Sequence, residues 1–225
     1  MLMIGHRGAM GCAPENTLLS IHKAIELGAD WVEVDVHLLD EKLIVIHDAT
    51  LDRTTNGQGK LADYTFDEMR NLDAGLGEKI PTLQEVINAT AGVVGLNIEL
   101  KGKGTGKALV SLLEKTPDSQ RENMLVSSFL MDELSAVFCL DKRVKIGVLA
   151  SDNINDSIAW AGKLKAFSIH VNIQNATLEW VERAHDHGLK LYVYTVNELA
   201  DIKRMKQMGV DGVFSNYPRQ IYSSM

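Results

Sequence analysis

Short apolar runs rich in β-branched residues alternate with amphipathic stretches of helical length from one end of this chain to the other. The strand-like runs are MLMIG (1–5), WVEVDVHLL (31–39), VVGLNIEL (93–100), MLVSSF (124–129), VKIGVLA (144–150), AFSIHVNI (166–173), KLYVYTV (190–196) and GVDGVFS (209–215). Between them lie NTLLSIHKAIELG, TLQEVINATAG, TGKALVSLLEK, MDELSAVFCL, INDSIAWAGKL, TLEWVERAHDHG and ELADIKRMKQMG. Parallel strands need such crossovers, so the pattern predicts a parallel sheet. Eight units predict a closed α/β barrel of the (β/α)8 type, with its site at the C-terminal ends of the strands. A doubly wound open sheet is the alternative, and it lacks a regular closing eighth unit. Gly28, Gly188 and Gly209 close helical stretches, while Asn16, Thr82 and Asp132 are candidate N-caps. Only RQIYSSM follows Pro218, so the last helix is expected to be short.

One segment breaks the repeat. After WVEVDVHLL comes DEK and a further strand-like run, LIVIHD. A hairpin turning near Asp40 and Glu41 is expected to set His47 opposite Asp35 at the barrel mouth. Residues 49–80 are polar and Gly-rich, and Leu61, Tyr64, Phe66, Met69 and Leu72 offer them a small apolar face. We read the chain as a single catalytic barrel, 1–225, with 49–80 inserted over the mouth.

The net charge of −7 weighs against broad contact with nucleic acid or anionic membrane, so any anion site has to be concentrated in a pocket. No apolar run approaches the ~18 residues of a membrane span, and no leader pattern precedes the first strand. Cys12 and Cys139 form no CxxC motif or paired framework, which with the missing leader predicts a cytoplasmic protein with free thiols. Oligomeric state is not encoded in any pattern we recognise.

Glu33 and Asp35 alternate on one strand and share a face, inward if Val32, Val34 and Val36 face the helices. Two carboxylates in a barrel interior repel unless a cation or a proton lies between them. On a second strand Glu99 supplies a third carboxylate and Lys101 an ammonium on the same face. Three carboxylates suit a hard divalent cation, Mg²⁺ or Ca²⁺, rather than zinc. His6 and Arg7 lie between Gly5 and Gly8 behind the first strand, and His47 ends another strand-like run. Together they offer an acid/base pair and a planar cation, the parts needed to hold and cleave a phosphate ester. His37 continues the Glu33/Asp35 face and His170 lies in a later strand, whereas His22, His185 and His187 read as surface residues. No Walker loop and no GxGxxG after a strand is present, which disfavours nucleotide hydrolysis and dinucleotide redox chemistry.

The ordered set GHRG, PENT, VEVDVHL, IHD, LDRTTNGQG, PTLQE, NIELK, SSF, YTVN and GVDGVFSNYP resembles the glycerophosphodiester phosphodiesterase family along the whole chain. The resemblance implies a (β/α)8 barrel with His6 and His47 as the catalytic pair, and Glu33, Asp35 and Glu99 around one divalent cation. It also implies that Arg7 and Lys101 contact the phosphate, with Tyr194 on the pocket wall. The small-molecule substrate it implies is a glycerophosphodiester, cleaved to glycerol 3-phosphate and an alcohol, with attack by the glycerol 2-hydroxyl as one route. Glu15 and Asn16 of PENT are either site residues or helix-initiating residues, and His37 is a candidate support for the site. This chain departs from the family in a shorter LLDEKL turn, in Tyr194 where tryptophan is common, and in Ser215-Asn216 where Thr-Asp is usual. Two competing readings are a lysophospholipase D-like hydrolase of larger lipids, disfavoured by the polar insertion, and a non-catalytic phosphodiester-binding barrel, disfavoured by the intact histidines and carboxylates.

Overall fold

The structure, a computed structural model, describes residues 1–150 and 152–218. The expected segment after Pro218 lies outside the described residues. Among the described residues nine strands form, in chain order β1 (Leu2–Gly5), β2 (Trp31–Leu39), β3 (Lys42–Val45), β4 (Gly95–Leu100), β5 (Met124–Ser128), β6 (Lys145–Leu149), β7 (Ser168–Asn172), β8 (Lys190–Tyr194) and β9 (Gly212–Ser215). All but β3 pair in parallel, and β1 hydrogen-bonds to both β2 and β9, so eight strands close into a barrel. Closure excludes the open doubly wound sheet.

Helices follow the strands as amphipathic crossovers: α1 (Leu18–Glu26), α2 (Phe66–Arg70), α3 (Leu83–Thr90), α4 (Thr105–Leu113), α5 (Asp118–Arg121), α6 (Met131–Leu140), α7 (Ile154–Leu164), α8 (Leu178–Asp186) and α9 (Leu199–Gln207). Their apolar faces pack on outward strand residues such as Val32, Val34, Ile98, Val126 and Ile169. Inside the barrel Ile4, Leu125, Tyr192 and Phe214 make a separate apolar cluster. No described helix is long and apolar enough to cross a membrane.

Gly28, Gly188 and Gly209 adopt φ of +83°, +70° and +81°, as their positions after helices predict. Two of the expected caps move. The α1 cap is Thr17, whose hydroxyl accepts from the Ser20 N–H at 3.1 Å, because Asn16 turns its side chain into the barrel. Asp132 lies in the first turn of α6, capped by Leu130 without a side-chain bond. Thr82 caps α3 as expected, in a reciprocal capping box with Glu85.

The hairpin forms, but its register differs from the expected one. Asp40 and Glu41 both take positive φ, +46° and +61°, in a two-residue turn that pairs Leu39 with Lys42. Counting back, the residue facing Asp35 is Ile46, whose N–H donates to the Asp35 carbonyl at 3.0 Å, and not His47. A loop one residue longer would be needed to put His47 there. His47 instead lies just beyond β3, where its carbonyl accepts from His37 Nε2 at 3.0 Å.

The segment after β3 builds its own apolar cluster, with Leu51, Leu61, Met69, Ala74 and Ile80 packed on Leu39, Ile44 and Ile46 of the hairpin. A 3-10 turn at Leu61–Asp63 and the short α2 organise it.

Candidate active site

The two glycines around His6 and Arg7 have distinct steric causes. A side chain at Gly5 would approach the Gly8 carbonyl to 2.6 Å, and one at Gly8 would run into Ser20 of α1, where φ is also +79°. The chain therefore bends tightly between β1 and α1, with Arg7 itself at φ +49°, a conformation that costs a non-glycine residue. Its N–H donates to Glu33 Oε2 at 2.8 Å, so the bend is tied to β2.

Glu33 and Asp35 are buried, 2% and 1% exposed, and each can present an oxygen within 4.8 Å of the others and of one from Glu99. Burial, with Asp35 and Glu99 beside it, pushes the Glu33 carboxyl well above its ordinary range. Burial and the Asp35 charge push Glu99 up to about 7. Asp35 goes the other way: burial opposes its ionisation, but Lys101, Arg7 and a hydrogen bond from Asn16 outweigh burial and hold its pKa below the usual value. One oxygen of Glu33, Oε1, is buried without a hydrogen-bond partner among the described residues. Such an orphaned acceptor, inside a set of three carboxylates, fits a hard divalent cation, which would supply the missing contact.

Arg7 and Lys101 flank the carboxylates. Arg7 Nε lies 3.3 Å from Asp35 Oδ2 and is buried without a well-aligned acceptor, while Nη1 donates to Glu15 Oε1 at 2.7 Å. Lys101 Nζ pairs with Glu99 and lies 3.3 Å from Asp35 Oδ1. Both cations line one pocket with His6, Glu33, His47 and Glu99. Asn16, at φ +59°, donates to Asp35 Oδ2 at 2.9 Å and accepts from the Asp35 N–H at 3.2 Å. Asn16 thus supports the acidic cluster rather than capping the helix.

The two expected imidazoles line the same pocket, His6 from the bend after β1 and His47 from just beyond β3. His6 Nδ1 lies 2.8 Å from Asn216 Oδ1 just after β9, and burial, then the Arg7 charge, lower its pKa to about 4. Asn216 is steadied by Asn197, which accepts from its backbone N–H at 2.9 Å. His47 Nδ1 donates to Asp48 Oδ1 at 2.6 Å. A carboxylate can only accept, so this bond places the proton on Nδ1. Burial lowers the pKa of His37, the third imidazole on this side, and its Nε2 donates to the His47 carbonyl.

The opposite wall is apolar. Tyr194 stands edge-on to Phe129 and Phe214, each at 6.4 Å between ring centroids, and burial raises its hydroxyl to about 12. Sequence reasoning left His170 open and missed Phe129 and Asn97 as pocket residues, and Asp48 and Arg53 as its ionic support. Asp48 was visible only as the last letter of IHD, and Arg53 only within LDRTTNGQG. His22, His185 and His187 are exposed.

A (β/α)8 barrel that gathers acidic, cationic and imidazole groups at the C-terminal ends of β1, β2 and β4 has the parts to hold and cleave a phosphate ester. Comparison with known proteins agrees. The profile of the Glycerophosphoryl diester phosphodiesterase family matches residues 6–220. A glycerophosphodiester phosphodiesterase of Caldanaerobacter subterraneus subsp. tengcongensis is 37% identical over 98% of this chain and 96% of its own. A Bacillus subtilis glycerophosphodiester phosphodiesterase is 34% identical over 97% of this chain and 84% of its own. Among solved structures, an Oleispira antarctica phosphodiesterase in complex with the product sn-glycerol-3-phosphate superposes with a TM-score of 0.90, at 30% identity, covering 100% of this chain and 96% of the other. The chain belongs to the glycerophosphoryl diester phosphodiesterase family.

Proposed function

We propose that this enzyme cleaves glycerophosphodiesters to glycerol 3-phosphate and a free alcohol, with His6 and His47 as the proton-transfer pair and one divalent cation, Mg²⁺ or Ca²⁺, at Glu33, Asp35 and Glu99. The observation that carries the reading is the convergence in one pocket of three carboxylates, one with an orphaned oxygen, two cations and two imidazoles. The Oleispira relative's bound product is in keeping with it.

A cation held by the three carboxylates would stabilise negative charge on the phosphoryl oxygens. Arg7 and Lys101 add fixed positive charge beside it, and the buried Arg7 Nε has a donor to spare for a phosphate oxygen. The imidazoles share the proton traffic: one withdraws the proton of the attacking hydroxyl, the other protonates the departing alkoxide. Tyr194 and Phe129 give the organic part of the substrate an apolar wall.

The test is hydrolysis of glycerophosphocholine by the purified chain supplied with Mg²⁺ or with Ca²⁺, measuring choline and glycerol 3-phosphate. Equal release of both, abolished by EDTA and restored by the metal, is expected. Absence of product with either ion overturns the reading.

A further inference from the structure

The LDRTTNGQG motif contributes no group that touches the pocket's carboxylates, yet it holds the most heavily hydrogen-bonded arginine near the site. Arg53 donates through Nε to Asp48 Oδ2 at 2.6 Å, through Nη1 to Glu15 Oε2 at 2.7 Å and through Nη2 to Glu15 Oε1 at 2.9 Å. Its planar guanidinium thus spans three carboxylate oxygens, two from the loop before α1 and one from the residue after His47. Glu15 in turn accepts from Arg7. The result is a continuous ionic chain, Arg7–Glu15–Arg53–Asp48–His47, running from a phosphate-facing cation to an imidazole.

We infer that Arg53 is a positioning residue for His47: by holding Oδ2 of Asp48 it aims Oδ1 at His47 Nδ1, fixing the ring so that Nε2 is the atom left for substrate. The inference rests on the assignment of His47 to the proton-transfer pair.

Most exposed ion pairs contribute little, because two long side chains are ordered for a screened attraction. Three features set this one apart. The Arg53–Glu15 contact is a two-bond fork, and Glu15 is only 10% exposed. Asp48, whose pKa is held below the usual range chiefly by the Arg53 bond, stays an acceptor throughout the neutral range. The backbone that carries Arg53 is itself pinned: the Thr55 N–H and hydroxyl both donate to the Leu51 carbonyl, at 3.1 and 2.8 Å, and Leu51 is fully buried in the insertion's own apolar cluster. The insertion thus holds Arg53 in place from outside the barrel. In the family of arrangements where a carboxylate behind an imidazole fixes its tautomer and orientation, losing that carboxylate's geometry lowers turnover without removing substrate contacts.

The test uses the full-length chain and two readouts. ¹⁵N spectra of the imidazoles, with the His47 signals identified by their loss in His47→Ala, are expected to show one tautomer, protonated at Nδ1, in the wild type. Arg53→Ala and Asp48→Asn are expected to give mixed tautomers. This readout holds whether or not the protein turns over a glycerophosphodiester, so it separates failure of the positioning role from failure of the proposed reaction. In turnover, Arg53→Ala should lower kcat about tenfold with KM within twofold, and Arg53→Lys should recover part of the loss. The double variant Asp48→Asn/Arg53→Ala should be no slower than Asp48→Asn alone, because both changes break one chain. An unchanged His47 tautomer in Arg53→Ala overturns the inference. So does a raised KM with kcat intact, or losses that multiply in the double variant.

Discussion

His6 and His47 reach one pocket, but their ring nitrogens have different supports. Behind His6 stands the neutral amide oxygen of Asn216, at 2.8 Å, and burial lowers the imidazole to about 4. Behind His47 stands the carboxylate of Asp48, itself gripped by Arg53, and the ring is 30% exposed. An amide oxygen fixes a ring's direction and favours its charge only through one hydrogen bond, whereas a carboxylate acceptor also carries a full negative charge. The two imidazoles proposed to carry the proton traffic therefore stand in different environments, one behind an amide and one behind a carboxylate.

Removing either imidazole gives the largest effect. His6→Ala and His47→Ala are each expected to lower kcat for glycerophosphocholine by about 10²- to 10⁴-fold, the range associated with a general acid or base. If the two act in one transition state, the double variant should fall little below the worse single one, since such losses are not additive. A single variant that keeps more than a tenth of wild-type turnover would remove that histidine from the pair.

Exchanging the support of His6 is a smaller and sharper intervention. Asn216→Asp puts a carboxylate where the amide stands and gives His6 the kind of acceptor that Asp48 gives His47. A nearby opposite charge favours the protonated ring, so the His6 midpoint, about 4 in the wild type, should rise by about one to three units, followed by NMR of the ring protons. The sign is fixed: more of His6 is then charged between pH 5 and 6, and a midpoint that stays or falls would show that Asn216 does not govern the ring.

The eight strands were legible because each run is apolar on the helix-facing side, and Glu33, Asp35, Glu99 and Lys101 stood out as charges inside such runs. Local alternation reports which face a side chain takes, and it placed the carboxylates and Lys101 correctly. Register across a turn is a different kind of information. It depends on whether the loop has two residues or three, and the choice that turned Ile46 rather than His47 toward Asp35 was made by positive φ at Asp40 and Glu41. Asn16 and Thr17 are both good N-caps in sequence, and only the buried Asp35 decides that Asn16 faces inward. The Arg53 link to Glu15 joins residues 38 apart, and no periodicity reports such a contact. Asn216 was recognisable as a departure from the family, but its pairing with His6, 210 residues away, was not.

A third imidazole serves as the control for the other two. His170 is fully buried, its Nε2 shares a hydrogen bond with the Ser168 hydroxyl at 2.9 Å, and burial lowers it to about 3. Its Nδ1 has no hydrogen-bond partner among the described residues. The folded state keeps this ring neutral, while the unfolded chain protonates it below its ordinary value of about 6.5. Its contribution to stability is therefore complete above pH 6.5 and is lost as pH falls toward 3, at about 1.4 kcal/mol per pH unit. Between pH 6.5 and 5 that amounts to roughly 2 kcal/mol. In His170→Leu this part of the acid destabilisation should vanish, so the urea unfolding free energy should fall less from pH 7 to pH 5 than in the wild type. Glu33 and Glu99, raised in the fold, act with the opposite sign over the same range, but they are common to both proteins and cancel in the difference. Equal pH dependence in the two proteins would mean that water or a shifted side chain solvates His170. Burial alone would then no longer account for a neutral imidazole in this barrel, and the low value of His6 would have to be explained by the Arg7 charge instead.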